Sequence, residues 1–353
     1  NSVAPLDADF TYYSNNYSAA FFVPAATGVT YTWNFGDNSP VSNNSNAVHT
    51  YTAAGTYTVC LNAQNVCDTL QTCQDINVSL STDCGNAAPP IEWQNTIGGS
   101  YSDYLEVVRP TNDGGYILGG SSSSDISGDK TGNNEGGTDY WIVKLAADGT
   151  IQNQKTIGGS GEDRLTDLQL TADGGYILGG YSRSNISGDK TENAVGSSSY
   201  HDYWIVKLSA TGTIEWQNTI GGSSSDYLES IQQTVDGGYI LGGTSSSGIS
   251  GDKTEVAQGA FDYWVVKLSA TGSSEWQNTI GGSNYDYLRS IEQTADGGYI
   301  LGGYSTSGIS GDKTEASQGY DDYWVVKVSA TGIIEWQNTI GGNNYDYLEF
   351  IRE

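Results

Sequence analysis

An eight-residue segment, Asp-Gly-Gly-Tyr-Ile-Leu-Gly-Gly, stands at four places in this chain: 113–120, 173–180, 236–243 and 296–303. Each copy is followed by Gly-Asp-Lys-Thr, then by Asp-Tyr-Trp, and usually by Glu-Trp-Gln-Asn-Thr-Ile-Gly-Gly. A regular spacing of about 60 residues is typical of repeat architectures, in which each unit buries its apolar face against the next. The chain is therefore predicted to be an array of similar units over most of its length.

Each repeat is predicted to contain four strands and no helix. In the third copy the strands are expected at 227–234, 238–244, 262–269 and 274–280. An Asp-Gly turn joins the first two strands, and Ala-Thr-Gly joins the last two. Each repeat is therefore a four-stranded meander.

The second and third strands of each meander are apolar at consecutive positions, as in Tyr-Ile-Leu at 239–241, so both of their faces need cover. Meanders that stack face to face are the blades of a β-propeller. We predict blades at 103–158, 163–221, 226–282 and 287–342. The segment 91–102 is expected to supply a leading fourth strand and 346–353 a partial first strand, so the propeller is expected to be incomplete or truncated.

Residues 1–80 lack the repeat and are predicted to form a small β-sandwich, followed by a polar linker at 81–90. The order Tyr31-x-Trp33-x-Phe35-Gly36-Asp37, His49-Thr50-Tyr51 and Gly55-Thr56-Tyr57-Thr58-Val59 resembles the PKD domain, an immunoglobulin-like extracellular spacer. Asn34 and Asn38-Ser39 depart from the Asp and Asp-Gly that are usual in that family. The predicted fold class is all-β: an immunoglobulin-like sandwich followed by a propeller-like array at 91–353.

The repeats themselves, through Asp-Gly-Gly-Tyr-Ile-Leu-Gly-Gly, Asp-Tyr-Trp and Glu-Trp-Gln-Asn-Thr-Ile-Gly-Gly, resemble the tandem propeller-like repeats of large secreted proteins of Bacteroidota. Such proteins often carry PKD domains and leave the cell by the type IX pathway. The resemblance implies an extracellular or surface-displayed protein of adhesin type.

Four cysteines lie in the first quarter of the chain. A hairpin turn near 65–68 makes Cys60 face Cys73 across neighbouring strands, and we predict a disulfide between them. The pairing of Cys67 and Cys84 is left open. An even number of cysteines in a small β-rich unit favours an oxidising compartment.

The formal net charge of −27 excludes a general affinity for nucleic acid or anionic lipid surfaces, because both are negatively charged. The sequence has no apolar run of about 18 residues, so no membrane-spanning segment is expected.

In a four-stranded meander the second-to-third loops and the fourth-to-first loops emerge at one end, opposite the tight hairpins. We call this end the long-loop face. Its acidic residues are candidate Ca²⁺ ligands, since calcium prefers several oxygen donors in flexible loops. The candidates are Asp129, Asp189, Asp252, Asp312, Glu255 and Glu315. The alternative is that these acids cap turns by accepting backbone N–H groups. The adjoining Lys130, Lys190, Lys253 and Lys313 favour local ion pairs.

An active site needs unlike groups at one point, whereas the repeats place every candidate acid in equivalent positions. His49 and His201, the two histidines, lie in different predicted domains, and no catalytic triad is expected. A propeller glycoside hydrolase is the enzymatic alternative, but the Ser-x-Asp-x-Gly-x-Thr-Trp boxes of sialidases are missing. The chain is therefore predicted to be non-enzymatic.

Two non-enzymatic functions agree with this sequence. The first is binding of a glycan or a surface protein through the long-loop face, with Tyr104, Tyr227 and Tyr287 as contacts beside the acidic turns. The second is a structural or display element of a filament or stalk, in which neighbouring copies are the partners.

Overall fold

The computed structural model describes residues 6, 8–15, 18–23, 28–78 and 91–352. The chain divides into two compact units, Asn1–Ile91 and Glu92–Glu353. Strands, turns and loops make up the described residues. No helix among them has the length and apolar character that a membrane span requires. The predicted linker at 81–90 lies outside the described residues.

The first unit contains two three-stranded antiparallel sheets. One sheet has the order β1 (Thr11–Asn15), β2 (Ser18–Phe22), β4 (Ala47–Thr50), and the other has the order β3 (Thr30–Asn34), β5 (Gly55–Gln64), β6 (Thr69–Val78). Val59, Leu61 and Ala63 alternate with more exposed residues along β5 and face the core, as the period of a strand requires. Trp33 is fully buried and donates its indole N–H to the carbonyl of Asn44 at 2.9 Å.

The two departures from the usual PKD sequence are accommodated in the turn after β3. Asn34 Oδ1 accepts the backbone N–H of Gly36 at 3.0 Å, and Asp37 Oδ1 accepts that of Ser39 at 3.1 Å. Asn38 adopts a positive φ of 64°, a conformation that asparagine tolerates better than most residues. Side-chain caps therefore replace the Asp-Gly turn.

Cys60 and Cys73 are direct partners in the register of β5 and β6, and they form the predicted disulfide, with Cα atoms 4.1 Å apart. Cys67 is exposed at the hairpin turn. Cys84 lies outside the described residues, so the pairing of Cys67 and Cys84 stays open.

The second unit contains four sheets, each an antiparallel meander of four consecutive strands. The first blade comprises β7 (Asp103–Pro110), β8 (Tyr116–Ser122), β9 (Asp139–Leu145) and β10 (Ile151–Ile157). The second blade comprises β11 (Asp163–Leu170), β12 (Tyr176–Ser182), β13 (Asp202–Leu208) and β14 (Ile214–Ile220), and the third comprises β15 (Asp226–Gln233), β16 (Tyr239–Ser245), β17 (Asp262–Leu268) and β18 (Ser274–Ile280). The fourth blade comprises β19 (Asp286–Gln293), β20 (Tyr299–Ser305), β21 (Asp322–Val328) and β22 (Ile334–Ile340). The all-β prediction and the repeated four-stranded sheets are confirmed.

The expected strands at both ends of the array are wrong, because residues 92–97 and 347–352 are not in strands. Residues 92–97 nevertheless make a contact that the fourth strand of a blade makes. Asn95 Nδ2 donates to the carbonyl of Gly149 at 2.9 Å, as Asn218 does to that of Gly272 at 2.8 Å. In the described residues neither segment has a neighbouring strand to pair with, and a strand is defined by that pairing.

Apolar side chains fill the space between successive blades. Leu228, at the start of the third blade, is fully buried against the second, and Gly179 of β12 leaves room for it. Tyr203 in β13 is also fully buried and donates its hydroxyl to the carbonyl of Trp264 in the next blade at 3.0 Å. The Gly-Gly and Asp-Tyr-Trp motifs therefore make the contacts between blades, and these contacts are repeated along the array.

The first strands of neighbouring blades, β7, β11, β15 and β19, lie beside one another and form the inner edge of the array. Each of these strands contains a bulge after its third residue, for example between Leu228 and Ser230 in β15. A bulge changes which side chains face inward. The residues after it line a central cavity, which is described below.

Candidate functional site

The loops of the long-loop face emerge at one end, as predicted, and they also bind one another. In the third copy the backbone N–H of Asp252 donates to the carbonyl of Gly221 at 2.9 Å, and that of Ser223 donates to Ser250 Oγ at 2.8 Å. The fourth-to-first loop is thereby fastened to the long second-to-third loop. The Asp-Gly hairpins occupy the opposite ends of the strands.

The carboxylates proposed for calcium are engaged with backbone N–H groups. Asp252 Oδ2 accepts from Gly221 at 3.1 Å, and Glu255 Oε2 accepts from Thr279 at 2.6 Å. The corresponding contacts of the other copies are Asp129 with Gly98, Asp312 with Gly281, and Glu315 with Thr339. Asp189 contributes its main chain, whose carbonyl accepts Gln217 Nε2 at 2.7 Å. These are the contacts expected of caps.

No group of three metal-ligating side chains occurs in the part of the chain that the structure describes. The six candidate acids are therefore not brought together into a ligand set. Two carboxylates from successive copies do approach each other, since Glu192 raises the pKa of Asp252 in addition to the larger effect of burial. Calcium binding stays a prediction.

The lysines beside these acids are buried, and the ion pairs expected of them are not found in the described residues. Lys190 and Lys253 are about 2% and 1% exposed, and each donates to a threonine hydroxyl, Thr219 or Thr279. Their ammonium groups lie 5.0 and 5.2 Å from the centres of tryptophan rings. Burial lowers the pKa of both lysines to about 8. These lysines hold the long loop on the blade through cation–π contacts.

Buried aspartates lie beneath the same loops, and one of them, Asp202, was not singled out as a candidate from the sequence. Asp202, the first residue of β13, is fully buried, and its Oδ2 accepts the backbone N–H of Val195 at 2.8 Å. Its Oδ1 has no partner in the described structure. Burial raises the pKa of Asp202 to about 7 and that of Asp226 to about 6. The signal was present in the sequence, because Asp precedes Tyr-Trp in every copy.

Aromatic rings form a continuous band at the long-loop face. We define the aromatic band as the rings of Tyr227, Phe261, Tyr285, Tyr287, Tyr304, Tyr320, Tyr345 and Tyr347. Tyr181 and His201 of the second copy contact Tyr227 at one end of it. The centroids of contacting rings are 4.7–6.3 Å apart. Tyr285, Tyr345 and Tyr347 are 45%, 56% and 47% exposed. The band joins three copies of the repeat.

The predicted tyrosine contacts are thus divided between two places. Tyr227 and Tyr287 belong to the aromatic band, whereas Tyr104 lies apart from it, with the guanidinium of Arg164 5.4 Å from its ring centre. The sequence analysis missed Phe261 and Tyr320, since they stand at the end of the long loop, where the copies differ.

A Ser, a His and an Asp do meet in the first unit. His49 Nε2 lies 2.7 Å from Asp37 Oδ2 and 3.5 Å from Ser39 Oγ. Both contacts use the same ring nitrogen, whereas a catalytic relay needs the carboxylate and the hydroxyl on opposite nitrogens. His49 also stacks on Phe35, with ring centres 4.2 Å apart. The group is a packed turn.

Comparison with known proteins identifies the first unit. Residues 14–80 match the family model of the PKD domain. The chain is also similar to the PKD1 domain of Vibrio anguillarum Epp, with 28% identity over 21% of this chain and 93% of that one, and a TM-score of 0.20. A quinonprotein alcohol dehydrogenase-like protein from Bacteroides thetaiotaomicron matches 93% of both chains at 11% identity and a TM-score of 0.25.

A curated protein is also similar to this chain. The regulatory protein FlaEY of Caulobacter vibrioides is 23% identical over an alignment of 277 residues, which covers 72% of this chain and 28% of the relative. The chain thus spans less than a third of the length of that protein. Residues 14–80 of the chain are a PKD domain, as the sequence predicted.

Proposed function

We propose that this chain is a non-enzymatic, extracellular or cell-surface protein of adhesin type, which binds a glycan through the aromatic band of its long-loop face. The PKD domain and the Cys60–Cys73 disulfide fit an extracellular protein. Export by the type IX pathway of a member of the Bacteroidota belongs to the same proposal and rests on the resemblance of the repeats.

The exposure of the aromatic band carries the proposal. Tyr285 and Tyr345 present about half of their surface to solvent, although each is stacked on a neighbouring ring of the band. A contiguous exposed aromatic surface marks an interaction site more often than it marks a core. Tyrosine offers a flat apolar face to the C–H groups of a sugar and a hydroxyl for a hydrogen bond.

Substitution of two exposed tyrosines tests this function. Tyr285→Ser with Tyr345→Ser removes two platforms, and binding to glycans on an array is expected to weaken about ten-fold or more. The matched control is Tyr101→Ser, because Tyr101 is 71% exposed in a loop at the same end of the first blade but lies outside the band. Equal loss in the control and the double variant contradicts a role of the band. Absence of binding by the wild type favours the structural or display alternative.

A further inference from the structure

A cavity of about 480 Å³ opens between the first strands of the blades. Its lining comes from equivalent positions in successive copies. The seventh residues of the first strands are Arg109, Gln169, Gln232 and Glu292, and the equivalent residue after the fourth blade is Arg352. The four strand residues precede the Asp-Gly turns, so the cavity lies toward the hairpin end, away from the aromatic band. We call it the axial cavity.

The first strands of the copies differ around the axial cavity, whereas their second strands begin with the same five residues. The second strand reads Tyr-Ile-Leu-Gly-Gly in all four blades, whereas the fifth residue of the first strand is Val107, Asp167, Ser230 or Ser290, of which the last three line the cavity. A regular scaffold therefore brings unlike side chains to one point. Unlike polar groups that converge in a concave place are the mark of a binding site. The similarity of the repeats concealed this convergence in the sequence.

Asp167 is held rigidly at the wall of the axial cavity. It is 8% exposed, and its Oδ1 lies 3.0 Å from Arg109 Nη2. The same carboxylate accepts the backbone N–H groups of Leu168 at 2.8 Å and Ile231 at 3.1 Å. Burial raises its pKa to about 6 even though Arg109 lowers it. The pair is thus oriented before any ligand arrives.

The fold does not require this ion pair. Ser230 and Ser290 occupy the position of Asp167 in the third and fourth blades, and Gln169 and Gln232 occupy that of Arg109. A buried ion pair is weak evidence for stability, because the free energy lost by removing both charges from water is about as large as the free energy gained from their attraction. The charges at this one level of the array are therefore better explained by a ligand than by packing.

We propose that the axial cavity binds a neutral saccharide of one or two rings, at a site separate from the aromatic band. Its two guanidinium groups are matched by the carboxylates of Asp167 and Glu292, so the lining favours no net charge on a ligand. Side-chain amides of Gln169 and Gln232 add donors and acceptors for hydroxyl groups. The volume lies within the range of about 300–1,000 Å³ that small-molecule sites occupy. The class of ligand rests on the proposed function, but the site does not.

The test uses residues that the repeat itself contains. In the full chain, Arg109→Gln with Asp167→Ser replaces the ion pair by the side chains of the neighbouring blades, so the fold is expected to persist. Binding of D-glucose, D-galactose, N-acetyl-D-glucosamine and lactose is measured by saturation-transfer NMR and calorimetry. We expect the wild type to bind at least one of these sugars. The double variant is expected to bind that sugar at least about ten-fold more weakly. Unchanged melting of the variant excludes unfolding as the cause.

The control is the Tyr285→Ser, Tyr345→Ser variant, which is expected to keep the affinity of the axial cavity. Equal affinity of the wild type and the Arg109→Gln, Asp167→Ser variant overturns the proposal. Loss of sugar binding in the tyrosine variant alone also overturns it, while supporting the proposed function. If none of the four sugars binds to the wild type, the axial cavity is not a saccharide site, and the glycan-array result for the aromatic band stands independently.

Discussion

Two adjacent glycines in each second strand show how single residues determine the spacing of the blades. A Cβ atom on Gly242 would lie 2.8 Å from Leu288 Cδ2 of the next blade. One on Gly243 would lie 2.1 Å from the carbonyl oxygen of Tyr227 and 2.5 Å from the hydroxyl of Tyr203 in the preceding blade. All three distances are far below van der Waals contact. The absence of side chains at these two positions lets three blades approach closely.

We predict that Gly242→Ala destabilises the array by about 1–3 kcal/mol, because the added methyl group must displace Leu288 in a packed core. Urea unfolding followed by tryptophan fluorescence measures this change. Gly248→Ala is the matched control in the same copy: a Cβ there meets no atom within 4 Å, and the backbone has no positive φ. A change of less than about 0.5 kcal/mol is expected for the control. Equal effects would show that loss of glycine, and not the contact with Leu288, matters.

At the scale of elements, each long loop is fastened to its blade by contacts that differ in kind. Glu255 accepts a backbone N–H, Lys253 lies over Trp264, and Gln277 donates to the carbonyl of Asp252. The Gln-Asn-Thr segment of the fourth strand, residues 277–279, thereby contacts the loop as well as the sheet. Calcium at this loop would compete with the backbone N–H groups that Asp252 and Glu255 already bind.

Thermal melting decides between calcium binding and capping. If calcium binds the native loops, millimolar CaCl₂ raises the melting temperature relative to EDTA at matched ionic strength, because a ligand of the native state stabilises it by mass action. Magnesium is then expected to do less, since it demands a stricter octahedron. Asp252→Asn with Glu255→Gln should remove the part of the calcium-dependent rise in melting temperature that comes from one copy. Coinciding curves with calcium and EDTA would leave capping as the role of these acids.

On the scale of the whole molecule, an acidic chain with a formal charge of −27 carries buried carboxyl groups in every blade. Burial raises the pKa of Asp139 and Asp202 to about 7 and that of Asp226 and Asp262 to about 6. All four values exceed the value of about 3.9 in an unfolded chain. The folded state therefore holds protons that the unfolded state releases.

We predict that the array is most stable at about pH 4 to 5. A raised carboxyl pKa contributes stability that is complete below about pH 4 and is lost as the pH rises through 6 and 7. The pKa shift has the opposite sign at the hairpins. Burial raises the pKa of Asp236, but hydrogen bonds from Thr234, Gly238 and Lys267 lower it further, to about 2. The contribution of Asp236 to stability is therefore lost as the pH falls below about 4.

Melting temperatures measured from pH 4 to pH 8 at constant ionic strength check this expectation. The melting temperature should fall as the pH rises from 5 to 8. The buried lysines, with pKa values near 8, change protonation mostly above that interval. Asp202→Asn is expected to flatten the curve, because an amide at this position does not titrate. A melting temperature that rises toward pH 8 would contradict the burial of these carboxyl groups.

Much of the architecture was readable from short stretches of sequence. The strands expected at 227–234, 238–244, 262–269 and 274–280 appear as β15 to β18, with ends that differ by one residue at most. The pairing of Cys60 with Cys73 followed from one hairpin. These features depend on residues close together in the chain, where turn preferences and alternation act directly. The sequence by itself therefore determined the repeat, the strands, the hairpins and the disulfide.

The tertiary structure decided which side chains from different copies meet. The aromatic band joins Phe261 to Tyr287 and Tyr304 to Tyr347, and the axial cavity joins Arg109 to Asp167, all across repeat boundaries. It also decided that Lys253 lies over a tryptophan instead of beside a carboxylate. Such contacts depend on the twist and stacking of whole blades, which arise from many weak contacts distributed over each sheet. No short segment of sequence contains all of these contacts, so the aromatic band and the axial cavity could be identified only in the folded chain.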